Sequence, residues 1–301
     1  MTQLPVCDHY AGNIKFARKA LALQTEKHLS GLVVQQNFDI TLDLEDGAAI
    51  GQEATLAAEF AALINSADNV AKRLGIRFHA VDHPHFAADV GIVLQQNAAQ
   101  PAYIMLPKID TLEQLQYAIQ AIDLNAKEAD IPLHALIESP LGVANVNAIA
   151  AHPRIESLSF GVMDFVSAHH GALPAAAMKS PMQFQHPLII HAKTAISAAC
   201  HAHGKTPSHN VCTDFANLES IRNDAWRAKT EFSFTRMWSI HPAQIEPILT
   251  TFLPSSTELA DAAAIITAAR AAHWGPISYK GILHDRASYR YYANLLGMSL
   301  F

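Results

Sequence analysis

The segment Phe38-Asp-Ile-Thr-Leu-Asp-Leu44 reads as a short β-strand that runs directly into an acidic turn, Glu45-Asp46-Gly47. Its aromatic and β-branched residues favour a strand, and the glycine marks a turn. The alanine-rich stretch that follows has apolar residues at the three- and four-residue spacing of a helix. The local unit is therefore a strand, a polar turn and a helix.

The same unit recurs along the chain. Seven further strands are predicted, each followed by a helical stretch, at 4–8, 75–81, 102–107, 132–138, 156–161, 205–212 and 233–240. Strands that alternate with helices are typical of a parallel sheet covered by helices. Eight strands with eight crossovers predict an α/β fold, a closed (β/α)8 TIM barrel, rather than an open doubly wound sheet.

The chain is predicted to contain one barrel domain and a shorter extension. No Gly/Ser-rich linker or repeat divides residues 1–252, which we assign to the barrel. Residues 253–301 differ, because Trp274-Gly-Pro276 interrupts the pattern before a tyrosine-rich helix. We expect this C-terminal helical extension to serve as a lid or as an arm that contacts a neighbouring subunit.

Composition narrows the class of protein. Half of the 301 residues are hydrophobic and 16% are charged, which is typical of a folded domain rather than a disordered chain. The formal net charge is -6 and no long basic run occurs, so nucleic acid is not an expected partner.

The sequence also bears on location. The three cysteines show no CxxC spacing, so neither a disulfide framework nor a structural zinc site is expected. Charges spread through the first thirty residues leave no signal-peptide core, and no uncharged run is long enough to span a bilayer. We expect a cytoplasmic protein with no membrane partner.

Charged residues gather where the predicted strands end. In a barrel of this class the loops after the strands form the face that carries the chemistry. The residues concerned are the acidic group Asp43, Glu45 and Asp46, then Arg77, Lys108, Glu138 and Asp164. Three acidic side chains within four residues call for a nearby cation, which could be Arg77, Lys108 or a metal ion.

Glu138 and Asp164 form a candidate metal site. Two carboxylates on consecutive strand ends can point into one space and leave other positions to water and substrate oxygens, as magnesium sites do. The alternative is that each carboxylate caps the helix that follows it or pairs with Lys108. Spacing alone leaves both interpretations open.

Arg77 lies inside an otherwise apolar strand, where a guanidinium needs an anionic partner. It could clamp a substrate carboxylate through two hydrogen bonds. It could equally form a structural ion pair with Glu45 or Asp46, and the sequence favours neither.

Other catalytic motifs are missing from the sequence. The seventeen histidines show no zinc-peptidase spacing, and most are expected to be surface or packing residues. No GxGxxG, GxxxxGK[ST] or GxSxG motif occurs, which argues against dinucleotide, P-loop and serine-hydrolase chemistry.

Six motifs at the ends of successive predicted strands carry a family resemblance. They are Asp43-Leu-Glu-Asp-Gly47, Arg77, Leu106-Pro-Lys108, Ile137-Glu-Ser-Pro-Leu-Gly142, Ser159-Phe-Gly-Val-Met-Asp164 and Ile240-His-Pro-Ala-Gln244. In this order they resemble the signatures of the HpcH/HpaI aldolase and citrate lyase superfamily, and of its citrate lyase beta-subunit-like branch in particular. The resemblance covers nearly the whole chain.

The resemblance implies a function. Members of this branch are (β/α)8 barrels that form trimers or hexamers, bind Mg2+ and cleave or form C-C bonds next to a carbonyl, commonly on acyl-CoA thioesters such as citryl-, malyl- or citramalyl-CoA. It implies a homotrimer or hexamer here, with Mg2+, or Mn2+ as an alternative ion, and a small-molecule substrate that is an acyl-CoA or acyl-carrier thioester.

Roles for individual residues follow from the same resemblance. Glu138 and Asp164 are expected to ligate the metal. Arg77 is expected to bind the substrate together with Glu45 and Lys108, and to act in catalysis by neutralising the enolate charge together with Mg2+. Asp285 resembles the aspartate of the family's C-terminal arm, which acts in the neighbouring subunit's site. Asp46 or Asp285 is expected to move the proton as general acid and base.

Three segments depart from the family pattern. The first strand and its turn read Pro5-Val-Cys-Asp-His-Tyr-Ala-Gly12, where relatives have a strand that leads to a Val-Pro-Gly turn. The seventh strand has Pro207-Ser-His209 for Ala-Ile-Asp, and the eighth has Arg236-Met237 for Gly-Lys. We expect these changes to lie at the rim of the site. Alternatives to a thioester lyase are a metal-dependent aldolase of free 2-oxo-4-hydroxy acids and a non-catalytic barrel subunit with a role in assembly or sensing.

Overall fold

A computed structural model of the chain describes most of its residues. The described residues are 4–25, 38–47, 50–95, 100–126 and 130–300, together with the backbone of a two-residue strand pair, His28–Leu29 and Leu32–Val33. The chain divides into two compact units, Met1–Phe252 and Leu253–Phe301, which we describe separately.

The first unit is a closed barrel of eight parallel strands, which confirms the predicted fold class. Each strand pairs with the next one along the chain, and the last pairs with the first. The strands are β1 Cys7–Ala11, β2 Phe38–Asp43, β3 Leu74–Arg77, β4 Ile104–Leu106, β5 Leu133–Ile137, β6 Ile155–Phe160, β7 Thr206–His209 and β8 Arg236–Ser239.

Helices cover the outside of the barrel and pack apolar residues against it. They are α1 Ile14–Thr25, α2 Glu53–Asn65, α3 Phe86–Val90 with a π-helical turn Gly91–Gln95, α4 Leu112–Asn125, α5 Pro140–Ala151, α6 Val162–Ser167, α7 Pro187–Ala202, α8 Leu218–Phe232 and α9 Ile245–Phe252. Short 3-10 turns lie at Ala175–Met178, Met182–Phe184 and Pro242–Gln244.

The observed strands differ from the predicted ones in their bounds. β1 spans Cys7–Ala11 rather than 4–8, and β3 ends at Arg77 rather than at residue 81. β7 ends at His209 rather than at residue 212, and β8 begins at Arg236 rather than at residue 233. The polar side chains Asp8 and His9 hide the strand signal of β1, because both are buried, on opposite faces of the strand, instead of facing solvent.

The barrel interior is polar near the amino-terminal ends of the strands. This corrects the expectation that the changes in β7 and β8 lie at the rim of the site. Arg236 is fully buried inside the barrel and forms ion pairs with Asp8, at 3.0 Å, and with Asp39. It therefore does not lie at the rim of the site. His209 is also fully buried, with its ring stacked on that of Phe184, so the change in β7 is not at the rim either.

Nearer the carboxyl-terminal ends of the strands the interior contains a buried apolar cluster, which we call the apolar floor. Its members are Tyr10, Met105, Leu136, Val211 and Trp238. The register pairs Arg77 of β3 with Met105 of β4, so their side chains leave the sheet on the same face. The apolar floor therefore lies on the same inner face of the barrel as Arg77.

The second unit is built on two helices joined by a β-hairpin. Helix α10 spans Ser256–Ala271, the hairpin strands β9 and β10 span Ile277–Tyr279 and Ile282–His284, and helix α11 spans Arg286–Leu295. The two helices bury Ile265, Ile266 and Ala269 against Tyr289 and Ala293. Among the described residues of the chain, no helix is both long enough and apolar enough to cross a membrane.

Candidate active site

The acidic turn after β2, residues 43–47, is folded tightly against the loop that follows β1. A Cβ atom on Gly47 would lie 2.0 Å from the carbonyl oxygen of Asp43 and 2.6 Å from that of Gly12, so only glycine fits. The Oδ1 atom of Asp43 accepts a hydrogen bond from the backbone N–H of Glu45 at 3.2 Å. We call residues 43–47 the acidic loop.

Arg77 is held by all three carboxylates of the acidic loop. Its Nε and one terminal nitrogen each donate to Asp43 at 2.7 Å, a paired arrangement that fixes the guanidinium plane. The same terminal nitrogen donates to Asp46 at 2.8 Å, and the other lies 2.7 Å from Glu45. Both ion pairs considered from sequence are therefore present, and the paired bond to Asp43 is an addition.

The three carboxylates differ in exposure. The side chains of Asp43 and Glu45 are each 9% exposed, whereas that of Asp46 is 76% exposed. A substrate carboxylate that binds Arg77 can therefore displace Asp46 at the lowest cost in buried surface. Arg77 offers five N–H groups, so most of its donors are already engaged in this state.

Lys108 connects the end of β4 to the acidic loop after β2 and to the end of β5. Its ammonium group lies 2.6 Å from Glu45, and its backbone N–H donates to Oε1 of Glu138 at 2.8 Å. Lys108 has a φ of 52°, a left-handed conformation that a lysine rarely adopts. Backbone strain at the end of a barrel strand is typical of a functional site.

Glu138 is a buried carboxylate in an unfavourable electrostatic environment. Burial raises its pKa well above the ordinary range, the charges of Glu45 and Asp164 raise it further, and Arg77 opposes them. A Cβ on Gly161 would lie 2.5 Å from Oε2 of Glu138, so Gly161 provides the space that this side chain occupies. A divalent cation would stabilise the ionised carboxylate here.

Asp164 lies beyond the strand end at which it was predicted. Strand β6 ends at Phe160, and Asp164 is an exposed residue in the first turn of α6. Its charge nevertheless contributes to the raised pKa of Glu138, so the two carboxylates are close enough to interact.

The helix-cap alternative for Glu138 is wrong. Ser139 takes the N-cap of α5, where its hydroxyl accepts the N–H of Gly142 at 2.9 Å. The side chain of Lys108 bonds to Glu45 instead of Glu138. Lys108 therefore interacts with Glu138 through its charge and its backbone N–H, and not through a direct ion pair.

The donor set fits a hard divalent cation. Among the described residues no group of three or more His, Cys, Asp or Glu side chains is arranged around a common metal position. A pair of carboxylate ligands, with water and substrate oxygens in the remaining positions, agrees with the way proteins hold Mg2+.

Asp285 lies in the second unit, where it caps a helix. Its side chain accepts hydrogen bonds from the backbone N–H groups of Ala287, at 2.9 Å, and Ser288, at 3.4 Å, and so begins α11. This cap is a sufficient structural reason for an aspartate at this position. Any chemical role would be additional to it.

Two features of the site were not predicted. Asp43 was expected only as one charge of the acidic group, yet it makes the paired hydrogen bonds that orient Arg77. Tyr10 was not singled out, although its ring lies beneath Arg77, with the guanidinium carbon 5.2 Å from the ring centre. The only sequence signal for Tyr10 is its place two residues after Asp8, on the same side of β1.

Comparison with known proteins agrees with the family resemblance carried by the six sequence motifs. The family model of HpcH/HpaI aldolase/citrate lyase matches residues 21–242. The L-malyl-CoA/beta-methylmalyl-CoA lyase of Cereibacter sphaeroides is 33% identical over 266 residues, which cover 83% of each sequence.

Solved structures agree in fold. A citrate lyase from Burkholderia xenovorans LB400 matches with a TM-score of 0.87 and 47% identity, over 99% of this chain and 94% of that one. The CitE protein of Mycobacterium tuberculosis, solved with magnesium, acetoacetate and coenzyme A, matches with a TM-score of 0.74 over 99% and 98% of the two chains. The second pair is 21% identical, so this likeness concerns the fold alone.

Proposed function

The chain belongs to the HpcH/HpaI aldolase/citrate lyase family, and from this premise we propose that it is a magnesium-dependent carbon-carbon lyase. Its substrate is a carboxylated 3-hydroxyacyl thioester of the citryl-, malyl- or citramalyl-CoA kind. The malyl-CoA lyase relative, at 33% identity over most of both chains, supports the thioester substrate.

One observation carries the proposal. A buried carboxylate, Glu138, lies at the end of β5, with Glu45, Asp164 and Arg77 within electrostatic reach. Such an arrangement is costly unless a cation and an anionic ligand complete it. Glu138 and Asp164 would hold Mg2+, which when bound polarises the carbonyl oxygen next to the bond that is broken.

Side chains of the protein bind the substrate and transfer the protons. Arg77 binds the substrate carboxylate after Asp46 releases it, while Asp43 keeps the guanidinium plane fixed. Glu45 and Lys108 line the same space and orient the substrate. Cleavage requires a base to take the hydroxyl proton and an acid to protonate the enolate carbon, and Asp46 and Asp285 are assigned to these transfers.

The assembly and location follow from the same assignment. We place Asp285 in the site of a neighbouring subunit, which requires an oligomer, and the family assignment favours a homotrimer or a hexamer. We also propose a cytoplasmic location. The three cysteines are buried and unpaired, which is consistent with a reducing compartment.

The test is cleavage of a panel of acyl-CoA thioesters and of the corresponding free hydroxy acids. We expect turnover of at least one thioester with Mg2+ and loss of turnover with EDTA. Glu138→Gln should abolish it, while Glu59→Gln, a change at an exposed carboxylate of α2, should not.

The other outcomes identify the alternatives. Turnover of free 2-oxo-4-hydroxy acids alone would replace the thioester assignment by the aldolase. No turnover and no calorimetric binding of Mg2+ or Mn2+, with Glu138→Gln indistinguishable from wild type, would identify a non-catalytic subunit.

A further inference from the structure

Tyr10 belongs to the apolar floor, and Arg77 lies over its ring. Its ring stacks on that of Trp238 with 4.6 Å between centres, and the guanidinium carbon of Arg77 lies 5.2 Å from its centre. Tyr10 and Trp238 are 7% and 8% exposed, so water is largely excluded from the underside of Arg77. The three side chains thus form a stack that rises from the barrel interior to the site.

Asp43 and Tyr10 restrain Arg77 in different directions. The paired hydrogen bonds from Asp43 lie in the guanidinium plane and fix its rotation. An aromatic ring attracts a cation over its face and resists movement toward the ring. Without the ring, Arg77 could descend into the barrel while it keeps Asp43 as a partner.

We propose that Tyr10 is a positioning residue for Arg77: its ring, supported by Trp238, fixes the height at which the guanidinium meets the carboxylate of the substrate. This inference rests on the proposed function, because it assumes that Arg77 binds an anionic substrate. It also gives a role to a residue of the first strand, which is one of the three segments that depart from the family pattern.

The aromatic face carries this role, and the hydroxyl group does not. Among the described residues, neither the hydroxyl of Tyr10 nor the indole N–H of Trp238 has a hydrogen-bond partner. Burial also raises the pKa of Tyr10 well above its ordinary range, so the phenol stays neutral. Removing the hydroxyl should therefore leave the position of Arg77 unchanged.

The experiment compares Tyr10→Phe, which keeps the ring, with Tyr10→Leu, which removes it. Phe234→Leu is the matched control, because Phe234 is a buried aromatic residue that packs edge-on against His209 outside the apolar floor. For each variant we measure kcat and KM for the thioester substrate, Tm, and the calorimetric Kd of pyruvate, an unreactive 2-oxo acid, with Mg2+ present.

For Tyr10→Leu we expect KM and the Kd of pyruvate to rise about tenfold. Tyr10→Phe should stay within about twofold of wild type in both quantities. Phe234→Leu should lower Tm and leave KM and Kd unchanged.

The outcomes separate this inference from the proposed function. If no thioester is cleaved but Tyr10→Leu alone weakens pyruvate binding, the proposed reaction is wrong and the role of Tyr10 stands. If Tyr10→Leu binds pyruvate as wild type does, or if Phe234→Leu weakens binding equally, the role of Tyr10 is overturned. Failure of wild type to bind pyruvate would overturn it as well.

Discussion

Asp46 is the residue whose two assigned tasks compete. It bonds Arg77 at 2.8 Å in this structure, yet its side chain is 76% exposed and it is assigned to proton transfer. A carboxylate that leaves Arg77 when the substrate arrives becomes free to act on the hydroxyl proton. Binding of substrate and activation of the base are then one event.

Substitution of Asp46 tests this coupling. We expect Asp46→Asn to lower kcat about 10²-fold or more, because general acid and base catalysis contributes that much. KM should not rise, since a neutral amide competes more weakly for Arg77 than a carboxylate does. Steady-state kinetics decides the matter: an unchanged kcat with a lower KM would show that Asp46 only competes with the substrate.

The buried carboxylate of Glu138 lowers the stability of the metal-free protein. Its pKa is raised by burial and by Glu45 and Asp164, so in the metal-free protein its ionisation opposes folding above the ordinary pKa of a glutamate. We expect Glu138→Gln to raise the Tm of the metal-free protein by a few degrees, for about 1 kcal/mol, at neutral pH.

The Glu138→Gln measurement has an internal check. The amide oxygen can still accept the N–H of Lys108, so packing is preserved. Added Mg2+ should raise the Tm of wild type and leave that of the variant unchanged. A variant that is less stable than wild type without metal would contradict this account of Glu138.

The β6-to-α6 connection determines whether the side chain of Glu138 has room. Gly161 has a φ of -98°, which alanine can adopt, so any effect of Gly161→Ala is steric. Its Cβ would lie 2.6 Å from the Cβ of Glu138. We expect kcat/KM to fall about 10²-fold, as displacement of a ligand by about 1 Å does.

A second glycine provides the control for Gly161→Ala. Gly91 follows α3, and a Cβ there would meet nothing within 4 Å. Gly91→Ala should keep wild-type kinetics and stability. Equal losses of activity in the two variants would show that the steric argument for Gly161 is wrong.

A buried histidine where β1 pairs with β8 makes the stability of the folded protein depend on pH. His9 bonds Ser239 across this junction at 2.8 Å, and burial lowers the pKa of His9 to about 4, with Asp8 opposing. The unfolded chain protonates this histidine near pH 6.5, so its contribution to stability is complete above that pH and is lost as the pH falls toward 4.

We therefore expect wild type to lose stability relative to His9→Gln as the solution is acidified. The difference in unfolding free energy should change by about 2 kcal/mol between pH 7 and pH 4.5. Denaturant unfolding of both proteins across this range measures it, with exposed His191→Gln as the reference. A difference that is independent of pH would contradict the buried, neutral state of His9.

Asp285 combines a structural role in its own unit with a proposed role in the reaction. Within its own unit it caps α11, and asparagine is an equally good cap, so Asp285→Asn removes the charge and keeps the helix. If the arm serves a neighbouring subunit, a chain with Asp285→Asn and a chain with Glu138→Gln each supply what the other lacks.

Mixed oligomers of these two inactive variants should therefore regain activity. In an equal mixture that exchanges subunits freely, about a quarter of the sites combine an intact Glu138 with an intact Asp285 from the neighbour. Activity after joint refolding or prolonged mixing measures this. A mixture as inactive as its components would place both residues in one chain's own site or exclude Asp285 from the chemistry.

Much of the architecture could be predicted from local pattern. The alternation of strands with helices gave the barrel, and the polar residues at strand ends located Arg77, Lys108 and Glu138. The predicted strand bounds were wrong where a polar side chain is buried instead of exposed. Asp8 is an example, because Arg236 neutralises its charge inside the barrel. Local sequence carries no record of such a partner, which lies far away along the chain.

Local sequence pattern was sufficient to predict the fold class, the family and the face of the barrel on which the acidic loop, Arg77 and Glu138 gather. The paired bonds of Asp43 to Arg77, the contact of Arg77 with the Tyr10 ring and the interior position of Arg236 became visible only in the folded chain. Periodicity depends on each strand's own residues. Partners across the barrel depend instead on strand register and closure, which no single segment encodes.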